Sequence, residues 1–180
     1  RLMLGYMYTH PGKKLLFMGG EFGQRQEWYH EEGLHWHLLE DPMHAGMARW
    51  VRELNLIYRY EPSLHAGDFD SNGFAWIDCS DAENSVICYL RRVPEQPTYD
   101  IAVVCNNTPV PRDNYRIGLP RSGFWREALN SDGTEYGGSG HGNMGGVSTT
   151  PVPDHGFEQS AVLHLPPLAV VIFKHEEEYL

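Results

Sequence analysis

The sequence predicts two architectures in one chain: a piece of an alternating α/β arrangement, followed by an all-β antiparallel sandwich. Three observations carry this. The run Leu15-Leu16-Phe17-Met18 does not alternate and is stopped at once by Gly19-Gly20, the pattern of a short strand buried on both faces of a parallel sheet. Residues 42–60 repeat apolar side chains at helical spacing behind a strong start signal. After Pro62 the texture changes to short apolar runs divided by Gly, Pro, Asn and Asp.

Taken in order, Leu2-Met3-Leu4-Gly5-Tyr6-Met7-Tyr8 is apolar almost throughout and is stopped by Pro11-Gly12, which reads as the tail of a buried helix. Arg1 is not a methionine and the opening residues have the texture of a helix interior, so an upstream region is expected. The strand expected at 14–18 follows, and a helix follows that, the succession of an α/β fold. Gly19 to Gln24 form a glycine-rich loop with one carboxylate, Glu21, and one amide, Gln24. In α/β barrels the loops at the carboxyl ends of the strands build the site, so Glu21 and Gln24 are candidate substrate contacts. The local alternative for Glu21 is an ion pair with Lys13 or Arg25.

Residues 25–40 are polar and aromatic, with Trp28, Tyr29, His30, His35, Trp36 and His37 and no clear period. They are expected to form an ordered loop of unusual length, a feature usually tied to function. Aromatic side chains with polar tips suit sugar rings, which makes Trp28 the third candidate contact; the alternative is that Trp28 and Trp36 pin the loop. His35 and His37 share a face of an extended segment, but two histidines without a third ligand make no metal site, and no metal or cofactor is expected. Asp41 is a good N-cap and Pro42 suits the first helical position. Met47, Val51, Leu54 and Tyr58, widened by Ala48 and Ile57, form the apolar stripe, and Pro62 closes the helix. Its expected role is that of a barrel helix packed on its strand.

Residues 63–68 read as a linker, which sets expected domains of 1–63 and 64–180. In the second, strands are expected at 73–79, 86–91, 101–105, 115–119, 124–129, 160–165 and 169–174. A chain of roughly 110 residues suffices for a core of its own. Between residues 130 and 155 lies a glycine-rich insert containing Tyr136-Gly137-Gly138-Ser139-Gly140-His141-Gly142-Asn143-Met144-Gly145-Gly146. Neither a helix nor a lysine follows in the manner of a phosphate-cradling loop, so a long surface loop is expected, open to mobility and to substrate contact. Cys79, Cys88 and Cys105 all fall in apolar runs and are expected to be reduced, buried thiols of a cytosolic protein.

Composition narrows the partners. Hydrophobic residues at 41% and aromatics at 12% exclude a disordered chain. A net charge of −10 without any basic patch argues against nucleic acid and anionic membrane. No apolar run is long enough to span a bilayer, and the expectation of a cytoplasmic protein comes from the cysteines. A neutral polymer such as a polysaccharide is compatible with this balance.

Several motifs carry a resemblance. Residues 11–24, continued through Glu27-Trp28 and Leu34-His35-Trp36-His37-Leu38-Leu39, resemble the last barrel strand and following loop of 1,4-alpha-glucan (glycogen) branching enzymes, members of the alpha-amylase family. Phe74-Ala75-Trp76-Ile77-Asp78-Cys79, Val104-Cys105-Asn106-Asn107-Thr108-Pro109, Trp125-Arg126-Glu127-Ala128-Leu129-Asn130 and Leu165-Pro166-Pro167-Leu168-Ala169 resemble the C-terminal domain of the same enzymes, in the same order. One departure is His35, where the family pattern has an aspartate. The resemblance implies that residues 1–63 are the last strand and flanking helices of a (β/α)8 barrel. It also implies retaining transglycosylation that moves α-1,4-glucan segments onto 6-hydroxyls. The catalytic carboxylates it implies sit on earlier barrel strands, so none is assigned here and the chain alone is expected to be inactive. The implied partners are an α-glucan and the remaining N-terminal part of the enzyme. Other readings stay open: a stand-alone carbohydrate-binding or interaction sandwich, or the end of a related debranching or trehalose-forming enzyme. A parallel-sheet strand at 14–18 would be an orphan in a stand-alone module.

Overall fold

The computed structural model describes residues 1–26, 28, 30–93 and 96–176. Glu27 of the resemblance and Tyr29 of the aromatic loop lie outside the described residues. Two helices come first, α1 (Leu2–Thr9) and α2 (Pro42–Tyr60). The Asp41 side chain caps α2 by accepting the Met43 N–H at 2.7 Å, with Pro42 just inside, as its sequence signals require. Eight strands follow: β1 (Phe74–Asp78), β2 (Val86–Arg91), β3 (Ile101–Asn106), β4 (Arg112–Leu119), β5 (Phe124–Asn130), β6 (Gly146–Ser148), β7 (Gln159–Leu165) and β8 (Ala169–Glu176). All seven expected strands are present. The eighth, β6, is a three-residue strand at the end of the glycine-rich insert, too short to leave a periodic signal.

The strands form an antiparallel six-stranded sheet in the order β1-β2-β3-β8-β5-β6 and a two-stranded sheet β4-β7. Alternation along each strand sorts side chains between two cores. Ala102 and Val104 of β3 and Val171 and Phe173 of β8 face the sandwich interior with Ile117 and Leu119 of β4 and Ala161, Leu163 and Leu165 of β7. Ile101, Val103, Cys105, Val170 and Ile172 face the other way, onto a second core shared with Leu4 and Tyr8 of α1 and Trp50, Val51 and Leu54 of α2. The central strands are therefore buried on both faces, which explains why their sequences read as continuous apolar runs where a one-sided sandwich strand would alternate.

The α/β part of the expectation needs correction. No strand forms at 14–18: residues 13–17 carry no regular structure, and the segment joins neither sheet among the described residues. Leu15 is 76% exposed and Phe17 51%, while only Leu16 turns toward the second core. A strand needs a hydrogen-bonded neighbour, and every described strand is already placed in the sandwich. α2 accordingly has no barrel strand beneath it. Its buried residues are Gly46, Trp50, Val51 and Leu54, so the stripe is rotated from the expected one to include Trp50. Trp50 is fully buried, donates its indole N–H to the Arg1 carbonyl at 3.1 Å, and lies 5.0 Å from the Tyr136 ring. Gly46 is small for a reason: a Cβ there would meet the Tyr136 backbone at 2.8 Å.

Two smaller expectations change as well. Cys88 and Cys105 are buried, but Cys79 is exposed, because it lies just past the end of β1. The glycine-rich insert is not a loose surface loop. The Asp132 carboxylate accepts from the Ser139 and His141 amides at 3.0 and 3.2 Å. The Glu127 carboxylate accepts from the Asn143 amide and side chain at 2.8 and 2.7 Å. Buried acceptors satisfied in this way hold the loop against the sandwich.

Candidate functional site

The loop after the apolar run is built on a tight turn, Gly20–Phe22, entered through Gly19 at φ 84°. That left-handed backbone favours glycine, and a Cβ at Gly19 would lie 2.8 Å from the Gln24 side chain. Phe22 is buried and stacks obliquely on Trp36 with ring centres 5.1 Å apart. The Phe22 carbonyl takes a hydrogen bond from His44 Nδ1 of α2 at 2.7 Å, which fixes the turn to the helix. Upstream, Lys14 Nζ donates to the carbonyls of His10 and Gly12 at 2.6 and 2.8 Å and stands 5.0 Å from the Tyr58 ring centre. Burial lowers the Lys14 pKa.

The three sequence candidates fall in three settings. Gln24 is a staple: its Oε1 accepts the His35 N–H at 2.9 Å and its Nε2 donates to the Gln26 carbonyl at 3.0 Å. Trp28 is 76% exposed, has φ 56°, and its ring lies 4.8 Å from that of Phe17 at 47°. Phe17, Met18, Gly20, Gln24, Gln26 and Trp28 together line an open cavity of about 300 Å³. Glu21 stands on the turn beside this cavity without lining it, half-buried. Among the described residues it pairs with neither Lys13 nor Arg25, so the local alternative is not formed. The structure thus brings Gln24 and Trp28 together and leaves Glu21 apart.

Phe17, Met18 and Gln26 are lining residues that the sequence reading missed. Phe17 and Met18 carry the signal of a strand interior, and only the absence of pairing turns them toward the loop. Chemically the cavity offers two aromatic faces, a thioether and two amides, with no carboxylate. Such a lining suits a neutral hydroxylated ring and supplies neither the acid nor the nucleophile of a retaining displacement. The His35 and His37 rings lie 5.4 Å apart, and among the described residues no group of three or more His, Cys, Asp and Glu gathers to hold a metal ion. No helix among the described residues is long and apolar enough to cross a membrane.

Comparison with known proteins bears on the same fold. Residues 76–176 match the family model of the alpha amylase C-terminal all-beta domain. The chain belongs to that family. The alpha-amylase C-terminal domain here is β1 with the seven strands that follow it, and the match begins within β1 at Trp76. The chain is 60% identical over 171 residues to a protein of Aromatoleum aromaticum named 1,4-alpha-glucan branching enzyme GlgB, covering 95% of this chain and 27% of that protein. It is 54% identical over 176 residues to the protein of the same name from Aquifex aeolicus, covering 98% of this chain and 28% of that one. The chain therefore spans about a quarter of the length of these relatives. The resemblance to branching enzymes read from the motifs is borne out by these relatives. Among solved structures, a type I pullulanase of Bacillus subtilis superposes with a TM-score of 0.64 at 13% identity, covering 98% of this chain and 23% of that one. An alpha-amylase of H. orenii gives 0.59 at 18%, covering 97% and 35%. These two share the fold.

Proposed function

We propose that this chain is part of a 1,4-α-glucan branching enzyme of glycogen biosynthesis in the cytoplasm, one that moves α-1,4-glucan segments onto 6-hydroxyls to make α-1,6 branches. The observation that carries the reading is the 60% identity over 95% of the chain to a protein of that name. In this reading residues 1–63 end the catalytic (β/α)8 barrel and residues 64–180 form the C-terminal sandwich. A carboxylate elsewhere in the enzyme attacks the anomeric carbon and holds the glucan covalently. A second carboxyl group protonates the leaving oxygen and then deprotonates the acceptor hydroxyl.

The segment at 13–18 gains its ladder partners from the rest of the barrel, and the loop that follows is delivered to the catalytic face. There Trp28 stacks on a glucose ring, Gln24 keeps the loop in register through its bond to His35, and Glu21 meets a sugar hydroxyl or a side chain of the remaining barrel. The exposed Trp28, and Glu21, which forms no ion pair among the described residues, support this assignment, since both are free to meet something beyond the chain. The test is a branch-linkage assay on the longer protein and on the 180-residue chain. New α-1,6 linkages are expected from the longer protein alone. Turnover by the short chain, or none by the longer protein, would overturn the reading.

A further inference from the structure

A cavity lies far from Trp28 along the chain, between the outer face of the β4-β7 sheet and the glycine-rich insert. It measures about 600 Å³, within the range of small-molecule sites. Alternation along β7 sends Ala161, Leu163 and Leu165 into the sandwich and leaves Val162 and His164 on the outside. Val162 and Val147 give the cavity its apolar floor, and His141, His164 and Asp113 are among its polar walls.

The walls are fixed before any ligand arrives. The Asn143 side chain bonds the His164 backbone in both directions, accepting its N–H at 2.8 Å and donating to its carbonyl at 3.1 Å. The same residue is tied to Glu127, so the insert and β7 form one rigid unit. Next to this anchor Met144 is held at φ 51° with its side chain fully exposed. A non-glycine residue kept in left-handed backbone, with an apolar side chain in water, persists only where the surroundings over-determine it, and such residues cluster at binding sites. Across the insert, a second cavity of about 420 Å³ shares His141, Gly142 and Met144 with the first, so a chain longer than one ring has somewhere to continue.

The hydrogen-bond partners define what the walls can recognise. His164 Nδ1 lies 3.0 Å from the Asp113 carboxylate, an acceptor, which places a proton on Nδ1; in the neutral ring Nε2 is then an acceptor. His141 Nδ1 lies 3.2 Å from the Ser139 hydroxyl, whose own proton is given to Asp132, so Nδ1 again carries the proton. Among the described residues neither Nε2 has a partner. Two imidazole edges and a carboxylate above an aliphatic floor offer hydrogen-bond partners at the rim of an apolar surface. They suit a neutral ring with hydroxyl donors at its edge and an apolar face.

We propose that this cavity is a second carbohydrate site, taking an α-1,4-linked glucose segment with hydroxyls on His141 and His164 and a ring face against Met144 and Val162. The hydroxylated ring follows from the cavity; the α-1,4 linkage rests on the function proposed above.

Methyl-labelled methionine separates the two sites in one titration of the intact protein, because Met18 lines the Trp28 cavity and Met144 lines this one. With maltoheptaose, a saturable shift of the Met144 methyl resonance is expected. His164→Ala and His141→Ala are each expected to weaken it roughly three- to tenfold, the worth of one hydrogen bond, with the other methionine signals of each ligand-free variant where the parent chain has them as a check on folding. A Met144 signal indifferent to maltoheptaose, or one that titrates with unchanged affinity in both variants, would overturn the site. Equal affinity for cellohexaose would overturn the α-glucan assignment. The titration does not read branching: saturable Met144 binding by a protein that forms no α-1,6 linkage would reject the proposed function and keep the site.

Discussion

Residues 15–18 and residues 170–173 have the same texture and different surroundings. Val170, Val171, Ile172 and Phe173 of β8 are at most 1% exposed, because β3 and β5 pair with β8 on its two edges while the sandwich and the helices cover its two faces. Leu15 and Phe17 are 76% and 51% exposed, and no sheet takes them up among the described residues. An unalternating apolar run therefore announces two faces that need cover, without saying which part of a protein supplies it. For β8 the cover lies within the chain. For 15–18, in the proposed reading, it lies in the rest of a barrel.

Charge substitution breaks the comparison most strongly. Ile172→Asp places a carboxylate in the helix-facing core and is expected to cost more than about 4 kcal/mol, enough to abolish a cooperative urea transition. Leu15→Asp in the same chain is expected to stay within about 0.5 kcal/mol, as at an ordinary surface position. Equal losses at the two sites would show that residues 13–18 are covered in solution. Next in size, Trp50→Ala removes the side chain that joins α2 to α1 and the Tyr136 turn, with an expected loss of about 3–5 kcal/mol in chemical denaturation. A loss under about 1 kcal/mol would mean that the helices ride on the sheet without sharing its core.

A smaller effect concerns acid. The Ser80 hydroxyl and amide hold the Asp78 carboxyl below its usual range, and hydrogen bonds from Asn84 and Tyr115 hold Asp81 low against the opposing effect of burial. A depressed carboxylate contributes stability that is present above its unfolded value, near pH 4, and lost as pH falls through the folded value. Asp81→Asn should therefore lower stability at neutral pH and flatten the acid limb of a thermal-melting profile below about pH 4. An unchanged acid limb would remove Asp81 from this account.

How far the sequence could be read follows from which cues are local. The seven strands and the start of α2 were legible because alternation, turn residues and the Asp41-Pro42 cap act within a few residues. Trp50 escaped the stripe because its partners, Arg1 and Tyr136, are remote in sequence. Asp132, Glu127 and Asn143 pin the glycine-rich insert through side-chain bonds that no period records, so glycine content alone suggested looseness. At the candidate site, Gln24 and Trp28 were found from residue type and the preceding strand-like run. Phe17 and Met18 were hidden, because a strand interior and a cavity wall have the same composition.

Amide hydrogen exchange at Leu15, Leu16 and Phe17 tests the central claim most directly, measured in this chain and in the longer protein. No backbone amide of residues 13–18 donates a hydrogen bond among the described residues, so exchange in the 180-residue chain should be fast, while the amides of Val171 and Ile172 stay protected. In the longer protein the same three positions should become as slow as β8. Protection already present in the short chain, or fast exchange in both, would contradict the assignment of this segment to a barrel completed elsewhere.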